Sequence, residues 1–359
     1  MKTTIANVEL LKIRAARRLP RHGGDHFVSL RVHGKSIFAA KSRIKHRRDF
    51  AVRQRAARLK LDPHTFMNHN FFSRAATILL AQTVASLSLA GDNLPKDPKA
   101  DFAGLEARSN SRVGVAAVDL STKRRVDYRS DERFLMCSTF KVLAAAAVLK
   151  RVDENKEKLD RFVRYGEAQL LTYAPVTREH VKEGGMTLEA LCAAAVEQSD
   201  NTAANLVLEA IGGPEKWTEF ARSLGDKFSR LDHNEPDLNL ARPGKEDDTA
   251  TPAATCANLQ RLFTSDVLSA ASRTKLEGWM QQGQTGLKMI RAGIAADWKV
   301  GDKTGRSGDG ATNDIAVLRP PAGGPIFLAI YTVDPAETQD ARDQLVADVA
   351  KTAIDALKK

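Results

Sequence analysis

Ser138-Thr-Phe-Lys-Val-Leu-Ala-Ala-Ala-Ala-Val-Leu-Lys-Arg-Val152 is the stretch on which the reading of this chain turns. From Phe140 to Val152 it is built of Ala, Leu and Val without Gly or Pro, which predicts a helix of strong intrinsic propensity. On its N-terminal side, Arg112-Val-Gly-Val-Ala-Ala-Val118 is small and β-branched. A turn at Ser121-Thr-Lys123 then leads into Arg125-Val-Asp-Tyr128, the pattern of a strand hairpin. On its C-terminal side, residues from about 155 to 290 are mostly helical in pattern, with segments Leu188–Glu197, Thr202–Ile211 and Thr251–Phe263 between Gly, Pro and Asp clusters. Strands return at Trp298–Val300, Asn313–Leu318 and Ile326–Val333, followed by a helix from about Glu337 to Leu357. Strands from both ends with helices between them predict an α/β (α+β) fold. It has an antiparallel sheet flanked by helices, an inserted helical lobe, and a site in the crevice between the lobes.

Ser138 and Lys141 stand three apart at the start of that helix, so both side chains fall on one face. A serine hydroxyl is a poor nucleophile unless a base adjoins it, and a partly desolvated lysine can be that base or relay its proton. The helix N-terminus offers N–H groups to a developing oxyanion. A capping serine beside a solvated lysine is the plainer reading of the pair alone, and Ser42-Arg-Ile-Lys45 repeats the spacing without any accompanying signature.

Three further motifs supply that company. Ser199-Asp200-Asn201 precedes an apolar helix and caps it well; Asp200 would tie down the loop while the Ser199 hydroxyl moves a proton and the Asn201 amide grips a carbonyl. Glu235-Pro-Asp-Leu-Asn239 lies in a polar, aperiodic segment of the kind that carries function, and its Glu and Asn could hold one water with the Glu as base. Lys303-Thr304-Gly305 follows the strand at Trp298–Val300. A cation, a hydroxyl and a residue without Cβ suit an anionic carboxylate on a flat substrate.

In this order, at intervals of 61, 36 and 68 residues from Ser138 through Ser199 and Glu235 to Lys303, the motifs resemble those of the class A serine β-lactamases, and the likeness runs from about Ala103 to the C-terminus. Tyr173-Ala-Pro-Val176, Gly185-Met-Thr187, the run Ser199–Asn205 and Thr312-Asn-Asp-Ile315 extend it. The resemblance implies hydrolysis of penicillins and cephalosporins through an acyl-enzyme on Ser138, and with it antibiotic resistance. The N–H groups of Ser138 and Arg306 would form the oxyanion hole, and Lys141 and Glu235 would share the proton work of acylation. Ser199 would protonate the lactam nitrogen, and a water held by Glu235 and Asn239 would release the acyl group. Lys303, Thr304 and Gly305 would receive the substrate carboxylate and the flat ring, Asn201 the acylamino side chain, and Tyr173 would wall the cleft. No cofactor and no metal are implied, and the partner is a small β-lactam met by a monomer without a stable membrane anchor. A penicillin-binding DD-peptidase shares three motifs but lacks a deacylating Glu such as Glu235, and a penicillin-sensing domain would stay acylated.

The chain departs from the family at several places. By the resemblance, Ser307 stands where carbapenem-hydrolysing relatives carry the partner of the cysteine at Cys137, and Ala145 where another family disulfide has the partner of the cysteine at Cys192, so neither pairing is expected. Arg306 follows the Lys-Thr-Gly, while Met289 and Thr312 occupy positions that often supply a carboxylate-steering arginine, so Arg306 or Arg342 is expected to provide that charge. His233 and Asp248 stand where an arginine–aspartate pair commonly clamps the loop, which predicts a weaker clamp.

A net charge of +11 suggests a nucleic-acid binder, but residues 1–66 hold 17 Lys/Arg against 4 Asp/Glu, leaving −2 for the remainder. Nucleic acid is therefore no expected partner of the mature domain. Residues 67–90 resemble a secretory signal, with Arg74, an apolar run from about Ala75 to Leu89, and Ser88-Leu-Ala90 as a cleavage site, so a periplasmic or secreted domain over 91–359 is expected. Residues 1–66 then read as a basic segment outside the mature protein, from a misplaced gene start, or as a genuine arm with clusters such as Lys45-His-Arg-Arg48. Arg47-Arg48-Asp-Phe50 also resembles a twin-arginine signal, without an apolar region directly after it. Three cysteines, Cys137, Cys192 and Cys256, cannot all pair with one another, and the eight histidines show no metal-ligand spacing.

Overall fold

The computed structural model describes residues 30–32, 35–37, 98–242, 244–333 and 338–358. The expected signal at 67–90 and nearly all of the basic segment at 1–66 lie outside them. The chain divides into two units, Met1–Ala81 and Gln82–Lys359. In the first, strands β1 (Leu30–Val32) and β2 (Lys35–Ile37) pair antiparallel.

The second unit runs α1 (Pro98–Ser109), β3 (Arg112–Asp119), β4 (Arg125–Tyr128), β5 (Phe134–Leu135), α2 (Phe140–Asp153), β6 (Phe162–Arg164), β7 (Gly185–Thr187), α3 (Leu188–Glu197), α4 (Asn201–Ile211) and α5 (Pro214–Ser223). It continues through β8 (Thr249–Ala250), α6 (Pro252–Thr264), α7 (Ala270–Gln281), α8 (Ile290–Gly293), β9 (Lys299–Arg306), β10 (Ala311–Arg319), β11 (Ile326–Val333) and α9 (Gln339–Lys358). The order β4-β3-β11-β10-β9 makes one antiparallel sheet, completed by the late strands as the sequence predicts.

Alternation along these strands builds two cores, because successive side chains point to opposite faces. Val113, Val115 and Ala117 of β3, with Leu328 and Ile330 of β11, pack against Phe102 of α1 and Val346, Val349 and Ala353 of α9. Ala116, Phe327, Ala329, Tyr331 and Ile315 face the other way, into a core shared with α2, α3, α4 and α6. Helix α2 is buried without interruption from Phe140 to Leu149, which explains its apolar composition on every side and its alanines: neighbours approach closely all round. The site therefore hangs on a helix enclosed through its first ten residues.

The strand expected at Trp298–Val300 continues unbroken through the Lys-Thr-Gly to Arg306, in register with β10 from Lys299↔Arg319 to Arg306↔Thr312. Its glycines hid it, since Gly weakens a strand by propensity alone. The central lobe also holds the short strand pair β6 with β7, and its strand β8 pairs with β5 from before α2; the helical pattern announces neither.

Candidate active site

The nucleophile's turn is held from every side. Cys137 to Thr139 form a single 3-10 turn leading into α2, and Cys137 takes φ +47°, a left-handed conformation that a residue with Cβ adopts only when its surroundings impose it. The surroundings do: Met136 donates its N–H to Asp248 O at 2.9 Å, and Asn313 Nδ2 donates to Leu135 O at 2.8 Å and Met136 O at 3.2 Å. Thr139 Oγ1 adds a bond to Met136 O at 2.8 Å. Gly305 of β9 lies directly against this turn; a Cβ there would stand 3.1 Å from Ser138 N.

From that turn Ser138 Oγ donates to Glu235 Oε1 at 3.2 Å, and Lys141 Nζ reaches the same oxygen at 3.0 Å. Serine and lysine thus converge on one carboxylate oxygen, with Lys141 and Glu235 side chains wholly enclosed. Lys141 also donates to Ser199 O at 2.9 Å, Asn201 Oδ1 at 2.6 Å and Ser199 Oγ at 3.4 Å. Burial pushes the Lys141 ammonium below the ordinary lysine range, with Glu235 opposing. That shift eases formation of the neutral amine that proton transfer needs.

Asp200 fills the structural role expected of it. Its fully buried carboxylate caps α4 through Ala203 N at 2.8 Å and ties in Val176 N at 3.0 Å, Thr177 N at 2.9 Å and Thr177 Oγ1 at 3.0 Å. The preceding Ser199 sits at φ +57°, which turns its hydroxyl toward Lys303 Nζ, 3.0 Å away. Ser199 Oγ thereby stands between two lysines. Burial and the nearby Lys141 charge bring Lys303 down to about 7. Asn201 N donates to Tyr173 O at 3.0 Å and so sets the half-exposed Tyr173 ring at the cleft wall.

Glu235 is fixed through its main chain. Asn205 on α4 donates Nδ2 to Glu235 O and accepts from Glu235 N, both at 2.9 Å. Asn239, in the turn Asp237–Asn239, donates Nδ2 to Glu235 Oε2 at 2.6 Å, while its Oδ1 is buried with no donor from the protein. An acceptor beside a carboxylate, both aimed at the space near Ser138, suits a water that donates to each.

On the opposite wall, Thr304 Oγ1 lies 2.6 Å from Thr285 Oγ1. Ser138, Tyr173, Ser199, Asn201, Asn239 and the β9 residues Thr304 to Arg306 line a cleft of about 260 Å³. A larger hollow of about 690 Å³ behind α4 and Asn234 contains no residue of the four motifs. Arg306 reaches the cleft, but its Nη2 lies 2.9 and 3.0 Å from the two Asp343 carboxylate oxygens, and its Nη1 donates to Thr285 O at 3.4 Å. The cation expected to steer a substrate carboxylate thus has a carboxylate partner already. All three cysteines are free and buried, as the identities of Ser307 and Ala145 require for two of them.

Every residue picked from the motifs converges on this cleft. Sequence reasoning quoted Asn205 and Asn313 only within the runs Ser199–Asn205 and Thr312-Asn-Asp-Ile315, without a role, and passed over Thr285 and Asp343. Asn205 left one trace, an amide inside the apolar run Ala203-Ala-Asn-Leu-Val207; Thr285 and Asp343 left none.

Residues 97–357 match the model of the "Beta-lactamase enzyme family". The chain is 45% identical to β-lactamase OXY-2 of Klebsiella oxytoca over 253 residues, 70% of this chain and 87% of that protein. It is 46% identical to β-lactamase L2 of Stenotrophomonas maltophilia over 254 residues, 70% and 84% of the two chains. Among solved structures, an ancestral class A β-lactamase aligns with TM-score 0.71 and 53% identity, covering 72% of this chain and all of that one. A putative class A enzyme from Rhodopseudomonas palustris aligns with TM-score 0.70 and 46% identity, covering 72% and 99%. The chain belongs to the β-lactamase enzyme family, and within it to the class A serine enzymes.

Proposed function

We propose that the chain opens penicillins and cephalosporins at their lactam amide through Ser138 and frees the product with a water held by Glu235 and Asn239. Ser138 Oγ forms a bond to the lactam carbonyl carbon as its proton leaves toward the shared Glu235–Lys141 pair. The carbonyl electrons collect on oxygen, facing the backbone N–H groups of Ser138 and Arg306. Collapse breaks the C–N bond, and the nitrogen takes a proton from Ser199 Oγ, which the adjoining Lys141 and Lys303 resupply. Glu235 then takes a proton from the water as it attacks the ester carbon, and Ser138 leaves with a proton regained. Lys303 and Thr304 hold the substrate carboxylate, Gly305 lets the ring lie against β9, Asn201 meets the acylamino group and Tyr173 borders it.

The observation that carries this reading is the placement of Glu235. One carboxylate oxygen takes Ser138 and Lys141 and the other takes Asn239, so a single base serves both halves of the cycle. A site that only acylates has no need of the second half. Hydrolysis of benzylpenicillin and nitrocefin by the purified chain, abolished in Ser138→Ala, tests the assignment; turnover by Ser138→Ala would end it.

The apolar run at 75–89 and Ser88-Leu-Ala90 support export with cleavage after Ala90, and with it a periplasmic or secreted site of action. No helix of the described residues is long and apolar enough to cross a membrane.

A further inference from the structure

Asp248 closes the segment that carries Glu235, and its carboxylate is fully buried. Oδ1 accepts from the N–H of Asp232 at 2.8 Å and of His233 at 2.9 Å. Oδ2 faces His233 Nδ1 at 2.7 Å, the partner expected from sequence, and also Arg242 Nη1 at 3.3 Å. Arg242 was not anticipated. It comes from inside the segment, and its Nη2 donates to Asp237 O at 3.1 Å while Nη1 also lies 3.4 Å from Leu240 O. Asp237 opens the turn that carries Asn239.

The two partners hold different things. His233 precedes Glu235 by two residues and fastens the entry to the segment, already braced by the Arg230–Asp232 pair and by Asp248 N on Asp232 Oδ2 at 3.1 Å. Arg242 follows Asn239 by three and fastens the exit. An imidazole has one donor to spend on this side, whereas a guanidinium spreads several N–H groups over a rigid fork and can bridge a carboxylate to backbone carbonyls. We propose that Arg242 is a positioning residue for deacylation: it ties the buried Asp248 carboxylate to the turn bearing Asn239 and so keeps the Asn239 amide on Glu235. This rests on the assignment of Glu235 and Asn239 to the water. The contact between Asn239 Nδ2 and Glu235 Oε2 depends on a turn whose only buried side chain is Leu238, so the exit side needs a fastening that packing does not supply.

The consequence is confined to one step. Ser138, Lys141 and Ser199 are held by α2, β9, β10, α4 and the Asp248 carbonyl; Arg242 reaches Asp248 only at its carboxylate and bonds to none of those four elements, so acylation proceeds without it. When release of the acyl group limits turnover, slowing that step lowers kcat and KM together and leaves kcat/KM unchanged. A general loss of folded protein lowers kcat at constant KM instead.

Arg242→Ala, Arg242→Lys and Glu235→Gln are compared with the parent chain by stopped-flow acylation with benzylpenicillin and by intact mass of the quenched protein over time. For Arg242→Ala the account expects acylation within about twofold and deacylation slowed about tenfold or more, with KM falling in proportion to kcat. Arg242→Lys, which keeps the charge but not the fork, is expected to slow deacylation about threefold and carries the test if the alanine variant does not fold. Acyl release at the parental rate in both arginine variants overturns the inference, as does a fall in kcat at unchanged KM. Glu235→Gln must accumulate the adduct; its rapid release would remove the assignment beneath, whatever the arginine variants do.

Discussion

Replacing Gly305 with alanine adds one methyl group at the tightest junction of the site. The new Cβ would stand 2.7 Å from Met136 O, 3.1 Å from Cys137 Cβ and 3.1 Å from Ser138 N. Favourable contact for such atoms begins near about 3.5 Å, so relief requires a movement of about half an ångström or more. The nucleophile's turn cannot provide it. Met136 is bonded through both its N–H and its carbonyl, to Asp248, Thr139 and Asn313, and Cys137 is held at positive φ. Strand β9 must therefore retreat, taking Lys303 and Thr304 away from Ser199 and the cleft. Overpacking of this kind costs about 1–3 kcal/mol of stability, equivalent to a fall in Tm of about 3–10 °C for a domain of this size. Displacement of reacting groups approaching 1 Å costs about 100-fold in rate, so kcat/KM for benzylpenicillin should fall about 10- to 100-fold. Steady-state kinetics and thermal melting measure both. Gly308→Ala, with nothing within 4 Å of its Cβ, serves as the neutral control. Parental kcat/KM and Tm in Gly305→Ala would refute the claim that the turn is rigid and that β9 is seated against it.

Lys303 is held near 7 by burial and by the Lys141 charge, so the cation offered to a substrate carboxylate is lost as pH rises through about 7. The kcat/KM for anionic penicillins should decline on the alkaline side, and a flat profile from pH 6 to 9 would contradict it. Because the folded value lies below the unfolded one near 10.4, the stability linked to this lysine is fully present above the unfolded value and is lost as pH falls through about 7. Arg306→Ala should raise KM for penicillins with a smaller change in kcat, whereas Asp343→Asn, which removes the competing carboxylate, should lower KM. An unchanged KM in Arg306→Ala would shift the steering role to Arg342.

How far the sequence could be read follows from where each signal resides. Helices α2, α3 and α4 and strands β10 and β11 were legible to within two residues or so, because their apolar periodicity is set by the two cores they line. Strand β9 was legible only at its start, since Gly301 and Gly305 are there to let other groups approach, and close approach leaves no periodic mark. The motif residues were legible because their chemistry requires particular side chains at fixed offsets on one element. Asp343 and Thr285 act across long sequence separations, where nothing local distinguishes them from ordinary surface polar residues. The histidine clamp was legible as a departure from the family's pattern, but the arginine that shares its carboxylate was not. Arg242 in a polar segment looks solvated until the fold brings Asp248 to it.

The central claim is that Glu235 with Asn239 drives the release of an acyl group that Ser138 has accepted. Intact-mass spectrometry of Glu235→Gln mixed with benzylpenicillin, followed from seconds to hours, tests it most directly. The account predicts a shift by the full mass of the penicillin on one site, persisting for hours, and no shift in Ser138→Ala. An adduct that vanishes from Glu235→Gln within seconds, or one that forms in Ser138→Ala, would contradict it.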